Sequence, residues 1–453
     1  MAMLGSGVVR AQVAAGGGGE ARPDQYFGAA APFDAGVFVA PGASLSAKQR
    51  RERDAAWRAE IRKELFVPEK LPALDARVVS TFSPMPGVLA DRVTYATADG
   101  MRVPAVVYRP DPATQHGHGK LPGIVVVNGH GGDKYSWYAF VSGMLFARAG
   151  AVVVTYDPIG SGERNAQRMP MASPSPHDTV VDTAGVSAHW GQRLAGLMQV
   201  DAMQAVSYLR TQKDVDPARI GMVGYSMGAF VAGIAGALDR RVHAVLLSGG
   251  GVYDGPHEYY DRGKLPCQAP PYRALGTLGD RGAVLYALNA SRGPMLVMNG
   301  DADTVMDMAH HPPAWFAAVR QRAIALRGSE TDMFTTVLYP GVSHRTSWVN
   351  RDGVLWLNRT LRFGLWDDAA IRSAGTTHVA TWAKANGVTI APNYMREDRE
   401  GGLDAVGTGY PALSVAQLTV LPEAEWQAHA DEYTYAGWAA KTRASEGAVA
   451  AGR

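Results

Sequence analysis

The chain has 453 residues, 47% of them hydrophobic and 19% charged, which is enough apolar chain for one large core and too much for a disordered polymer. The 44 lysines and arginines nearly cancel the 42 aspartates and glutamates, leaving +2, so no global field draws nucleic acid or an acidic membrane. No run of 18 apolar residues suggests a membrane-spanning helix, and the single cysteine, Cys267, excludes an intramolecular disulfide framework and a cysteine-based zinc cluster.

In chain order, residues 1–43 are rich in Gly, Ala and Pro and read as a flexible start. Within them, Leu4–Ala15 resembles the stub of a cleaved export signal, interrupted by Arg10 and without a full apolar stretch. The site of action is therefore left open between an exported and a cytoplasmic protein. A helical extension over 44–90 follows. Its segment 46–66 places Trp57, Ile61 and Leu65 on one face, with Ser44 or Ser46 as the cap. Glu52, Asp54, Glu60 and Glu64 alternate with its basic residues, so this reads as a solvated face with i,i+4 pairs rather than a nucleic-acid surface.

From 91 to 365 short β-branched runs alternate with helix-length segments. The runs are Arg92–Ala96, Pro104–Arg109, Gly123–Asn128, Ala151–Asp157, Arg219–Gly224, Val242–Ser248, Pro294–Asn299 and Thr335–Tyr339. The later ones are continuously apolar, as strands buried on both faces of a parallel sheet must be. The segments 136–149, 196–212, 227–238, 310–326 and 347–362 fit crossover helices. This is an α/β fold with a mostly parallel central sheet, opened by an antiparallel hairpin. Sites in such sheets form at the carboxyl ends of strands. A C-terminal extension over 366–453 carries predicted helices near 376–386 and 422–440, packing on the core through Trp426, Tyr433, Tyr435 and Trp438.

The strand ending at Val223 runs into Gly224-Tyr225-Ser226-Met227-Gly228 and then a helix. With 52 glycines in the chain the bare G-x-S-x-G pattern is weak. Between a strand and a helix it is a nucleophile elbow that presents Ser226 Oγ beside a helix N-terminus. A serine hydroxyl needs a base, and the base an orienting acid. Two later strands end in suitable loops: Gly300-Asp301-Ala302-Asp303, and Gly341-Val342-Ser343-His344. Asp303 and His344 are the candidates. Asp301 is the alternative acid, read as a loop cap, and Asp254 a more remote one. For the tetrahedral oxyanion, the amides of Met227 and of His130, in the Gly129-His130-Gly131-Gly132 turn, are the candidate donors. The segment from Asp157 to Arg164 lacks a full G-x-G-x-x-G, and His116, His118, His310 and His311 lack partners at metal spacing. No cofactor and no metal are called for.

Together these motifs resemble the α/β-hydrolase superfamily over about 90–365. The H-G-G turn followed by D-x-x-G-x-G-E-R is most similar to its dienelactone-hydrolase and acetyl-xylan-esterase-like branch. The resemblance implies a Ser226, Asp303, His344 triad. Asn128 stands where relatives often carry His, and the serine nucleophile argues against dienelactone as substrate.

Two insertions, about 158–195 and 249–282, are expected to roof the site. They carry His177, His189, Trp190, Tyr253, His257, Tyr259 and Tyr260, while Trp137 and Tyr138 follow the oxyanion turn. Trp137, Trp190 and Tyr253 are candidate substrate contacts, since aromatics with polar tips suit sugar or phenolic rings. Arg164 is a candidate for a substrate carboxylate, or else for a structural ion pair. The expected function is serine carboxylesterase action on an ester of a carbohydrate or plant-derived aromatic acid. The alternatives are a prolyl-oligopeptidase-like peptidase and lyase or acyltransferase chemistry on the same triad. The partner is a small-molecule or carbohydrate ester; oligomeric state is not legible.

Overall fold

A computed structural model describes residues 45–114, 119–168, 170, 189–253, 259–263, 265, 267–344, 347–390 and 404–451. The expected flexible start and signal remnant, and His116, His118, His177, Asp254 and His257, lie outside the described residues.

Nine strands form one sheet: β1 (Arg77–Met85), β2 (Val88–Ala96), β3 (Arg102–Pro110), β4 (Leu121–Val127), β5 (Val152–Tyr156), β6 (Val215–Tyr225), β7 (Ala244–Ser248), β8 (Met295–Gly300) and β9 (Phe334–Tyr339), in the order β1-β2-β3-β5-β4-β6-β7-β8-β9. The pairs β1–β2, β2–β3 and β3–β5 are antiparallel, and every pair from β5 to β9 is parallel. All residues of β4, β5, β7 and β8 are buried, which is why the sequence writes them as unbroken apolar runs. β1 is a mostly exposed edge strand with Val78 60% accessible. It carries no such run, and the sequence reading missed it.

Helices cover both faces. On one lie α1 (Ala47–Glu64), α3 (Trp190–Thr211), α4 (Met227–Leu238), α5 (Arg281–Ala290) and α6 (Pro313–Arg327), contributing Ile61, Leu197, Phe230, Leu285 and Trp315 to one buried cluster. On the other, α2 (Trp137–Ala149) and α7 (Arg351–Leu361) bring Phe146 and Leu357 into a second cluster. Ser46 caps α1 in a capping box with Gln49.

Two expectations shift. The helix expected at 196–212 begins at Trp190, so its first turn occupies the end of the expected 158–195 insertion. Trp190 is fixed there by Tyr435 and Trp438, a contact across more than 240 residues that no local pattern encodes. In the tail, Thr376–His378 pairs antiparallel with Asp404–Val406, and the helix α8 follows only at Val379–Ala385. The helix expected at 422–440 is broken into α9 (Glu423–Ala428), α10 (Ala430–Tyr433) and α11 (Tyr435–Ala451), with non-helical backbone at His429 and Thr434. Trp426, Tyr433, Tyr435 and Trp438 are all buried against the core.

Candidate active site

β6 delivers Ser226 at its carboxyl end, where φ 54° and ψ −116° fold the chain sharply into α4. That conformation is costly for a residue with a Cβ. It is held because both flanks are pressed by backbone: a Cβ on Gly224 would strike the Gly228 carbonyl, and one on Gly228 the Val127 carbonyl. The oxyanion turn comes equally close, since a Cβ on Gly129 would lie 2.9 Å from the Tyr225 carbonyl oxygen and 3.2 Å from Ser226 Cβ. Only glycine permits this approach.

The loops after β8 and β9 bring Asp303 and His344 to the same place. Ser226 Oγ lies 2.9 Å from His344 Nε2, and His344 Nδ1 lies 2.7 Å from Asp303 Oδ2. Asp303 Oδ1 accepts from the Met306 amide at 2.9 Å. Asp303 is buried and the serine is half-buried, so the row runs from the interior towards solvent. Tyr225 clamps the histidine, its ring 5.2 Å from the imidazole and its hydroxyl donating to the His344 carbonyl at 2.7 Å. The alternative acid, Asp301, instead accepts from the Gly341 amide and fastens its loop to the next.

Met227, the first residue of α4, presents its amide beside Ser226. In the facing turn, His130 Nε2 meets Cys267 Sγ at 3.1 Å. Burial, reinforced by His344, pushes the His130 imidazole down to about 4, so it is neutral at pH 7. Tyr138 stands over this turn and accepts from the Gly129 amide at 3.4 Å. Asn128 Nδ2 donates to the Tyr156 carbonyl and braces the turn against β5.

Behind the turn lies a cluster that sequence reasoning missed. Lys134 Nζ is 2.5 Å from Asp157 Oδ2 and 2.9 Å from Glu163 Oε2, and all three side chains are fully buried. The Lys134 and Glu163 amides both donate to Asp157. Glu163 also accepts from the Val420 and Leu421 amides at 2.8 and 3.0 Å, and its carbonyl accepts from the Trp426 indole. Burial disfavours the Lys134 charge, but Asp157 and Glu163 outweigh it and hold the ammonium well above its ordinary value. Burial also pushes Glu163 up; Lys134 and the two amides outweigh that and leave it below the usual range. The only sequence signal was acidic and basic residues crowded onto loops that follow buried strands.

Of the four expected substrate contacts, Arg164, Trp190 and Tyr253 are buried and Trp137 is half-buried. Arg164 is fully buried and paired with Asp201, leaving no guanidinium for a ligand carboxylate. Trp190 is buried between Tyr435 and Trp438. Tyr253 is buried in a ring cluster with Phe230, Tyr260 and Tyr272, its hydroxyl donating to the Ala229 and Phe230 carbonyls. Trp137 turns towards Trp382 of the C-terminal extension, and its neighbour Tyr138 reaches the site instead. For Trp190 and Tyr253 packing took the aromatic surface, and for Arg164 an ion pair took the charge. Among the described residues no group of three or more His, Cys, Asp or Glu is arranged to hold a metal ion, and no helix is long and apolar enough to cross a membrane.

The nine-stranded sheet, the helices on both its faces and the elbow at Ser226 have the architecture of the α/β-hydrolase fold. Residues 51–248 match the family described as acetyl xylan esterase (AXE1), and residues 184–366 match the prolyl oligopeptidase family. Among solved structures the chain is similar to Methylesterase BT1017, with a TM-score of 0.58 and 20% identity over 90% of this chain and 78% of that one. Two curated relatives are similar over shorter stretches. YtaP of Bacillus subtilis (strain 168) is 40% identical over 52 residues, 12% of this chain. Thiohydrolase apmlB of Arthrinium phaeospermum is 27% identical over 158 residues, 35% of this chain. The aligned stretches span 17% and 42% of those relatives' own lengths.

Proposed function

We propose that this protein is a serine carboxylesterase that cleaves an ester of a carbohydrate or a plant-derived aromatic acid. The observation that carries the reading is the unbroken row from Ser226 Oγ through His344 to buried Asp303, at 2.9 and 2.7 Å. His344 Nε2 takes the hydroxyl proton as Ser226 Oγ bonds to the ester carbonyl carbon. The oxyanion so formed is received by the Met227 and His130 amides. Collapse breaks the carbon–oxygen bond to the alcohol, which leaves with the proton from His344. Water, deprotonated by His344, then attacks the acyl-enzyme, releasing the acid and restoring Ser226. Asp303 holds the imidazole in the tautomer that presents Nε2 to the serine and stabilises the imidazolium.

A second reading, peptide-bond cleavage by the same groups, is favoured by the prolyl oligopeptidase match over residues 184–366. One panel separates the two: short-chain nitrophenyl esters, acetylated xylan, a feruloyl ester, a glucuronate methyl ester and a prolyl nitroanilide, each with wild type and Ser226→Ala. Serine-dependent release from an ester and none from the anilide is the expected result. Release from the anilide alone would replace the esterase reading with a peptidase.

A further inference from the structure

At the amino-terminal edge of the parallel sheet, α1 crosses the ends of α4 and α5 and leaves a cleft of about 720 Å³. Its far wall includes Leu238, the last residue of α4, whose first residue adjoins Ser226. At 1.5 Å per residue, the 12-residue helix puts the cleft roughly 18 Å from the triad. Six cations line it, Arg51, Arg58, Arg62, Lys63, Arg240 and Arg292, against two carboxylates, Asp54 and Glu69. Asp54 is engaged by Arg53 from outside the cleft, and Lys63 by Glu60 and Glu64. None of the five arginines has a carboxylate within ion-pair range among the described residues. A chain whose net charge is only +2 thus concentrates a larger positive charge in one concavity.

Helix capping explains part of this. Arg58 donates to the Ala237 and Leu288 carbonyls and to Ser291 Oγ, at the ends of α4 and α5. Arg62 donates to the Pro68 carbonyl, and Arg292 to the Arg240 carbonyl. The Arg51 and Arg240 guanidiniums cap nothing, yet they face the same space. Burial lowers Arg58 to about 10, with Asp54 opposing and Arg240, Arg292 and Arg62 lowering it further. Unrelieved repulsion between guanidiniums is what an anion would remove.

We propose that this cleft is a binding site for a small multivalent oxyanion, a ligand presenting two or more phosphate, sulfate or carboxylate groups to Arg51, Arg58, Arg240 and Arg292. The lining has no aromatic side chain, so recognition is of charge and not of a stacked ring. The shared chemistry admits a phosphorylated compound or a carboxylated oligosaccharide, and the test separates them.

Calorimetric titrations of the full chain would use tripolyphosphate, trigalacturonate and, as a neutral control, xylotriose. The expected result is one-site binding of at least one anion and none of xylotriose. Affinity should fall about tenfold or more as salt is raised from about 20 to about 300 mM, where screening shortens to a few ångströms. The double variant Arg51→Glu/Arg240→Glu should weaken binding at least about tenfold, since it reverses two cations, while nitrophenyl acetate turnover is unchanged. Arg58→Lys keeps a cation at the helix ends and should weaken binding less. Ser226→Ala should bind as wild type, which keeps this test independent of the proposed catalysis. Binding of tripolyphosphate alone assigns a phosphorylated ligand, and of trigalacturonate alone a carboxylated glycan. No heat with either anion at millimolar concentration, or equal affinity in the double variant, overturns the proposal.

Discussion

Two buried carboxylate centres flank the oxyanion turn, and they are built from similar parts to opposite ends. In one, Asp303 faces the imidazole of His344, which borders a half-exposed serine. In the other, Asp157 and Glu163 face the ammonium of Lys134, and nothing in the group touches solvent. The first has an exit for a proton; the second is sealed by the amides of Val420 and Leu421 and by Trp426. A buried charge is therefore not a sign of chemistry in itself. What distinguishes the proposed reacting centre is a titratable group with one side open to solvent. The closed centre holds the turn, the Asp157–Arg164 segment and the C-terminal extension in one arrangement.

Substitutions should separate the two centres, and the largest effect belongs to the open one. Ser226→Ala should reduce ester turnover by about 10⁴-fold or more, the scale expected when a triad member is removed, with the denaturation midpoint unchanged. Asp303→Asn should cost about 10³–10⁴ in kcat by favouring the wrong imidazole tautomer, again with little loss of stability. The closed centre should behave the other way round. Lys134→Met leaves two buried carboxylates without the cation they share and should cost about 3–5 kcal/mol of stability, read by urea unfolding. Loss of activity at full stability in Lys134→Met would instead make the closed centre part of the chemistry. Trp426→Phe removes one indole bond to the Glu163 carbonyl and should cost about 1 kcal/mol, with kcat nearly unchanged.

A further effect concerns pH. His130 is held near 4 in the folded chain against about 6.5 when unfolded. Between those values the unfolded chain binds more protons, so this contribution to stability is complete above about pH 6.5 and is lost as pH falls towards 4. His130→Gln should flatten that part of the stability–pH curve, compared by urea unfolding at several pH values.

The sequence spoke clearly where one local rule governed the structure. Buried parallel strands wrote themselves as apolar runs, and Gly224 and Gly228 marked the elbow because backbone presses on both. Asp303 and His344 were legible as an acid and a base at the ends of successive strands, and the structure brings them within hydrogen-bond reach of each other. What stayed hidden was set by partners far along the chain. Lys134 and Glu163 gave no spacing signal, because their meeting depends on the path of two loops and of residues 420–426. Trp190 and Tyr253 looked like ligand contacts because an aromatic side chain reads alike whether it meets a sugar or another ring. Edge strand β1 lacked the burial that writes a pattern at all.

The link between Glu163 and the Leu421 amide spans 258 residues, and it gives the protein a schedule as well as a shape. A ribosome adding 5–20 residues per second reaches Leu421 roughly 13–50 s after Glu163. Through that interval Lys134, Asp157 and Glu163 can gather but remain unsealed. The elbow, both acids and His344 are all synthesised before the segment that closes the back of the oxyanion turn. Closure behind the turn thus waits on residues 420–426, and a nascent polypeptide halted short of residue 420 would carry Ser226, Asp303 and His344 on an unfinished support.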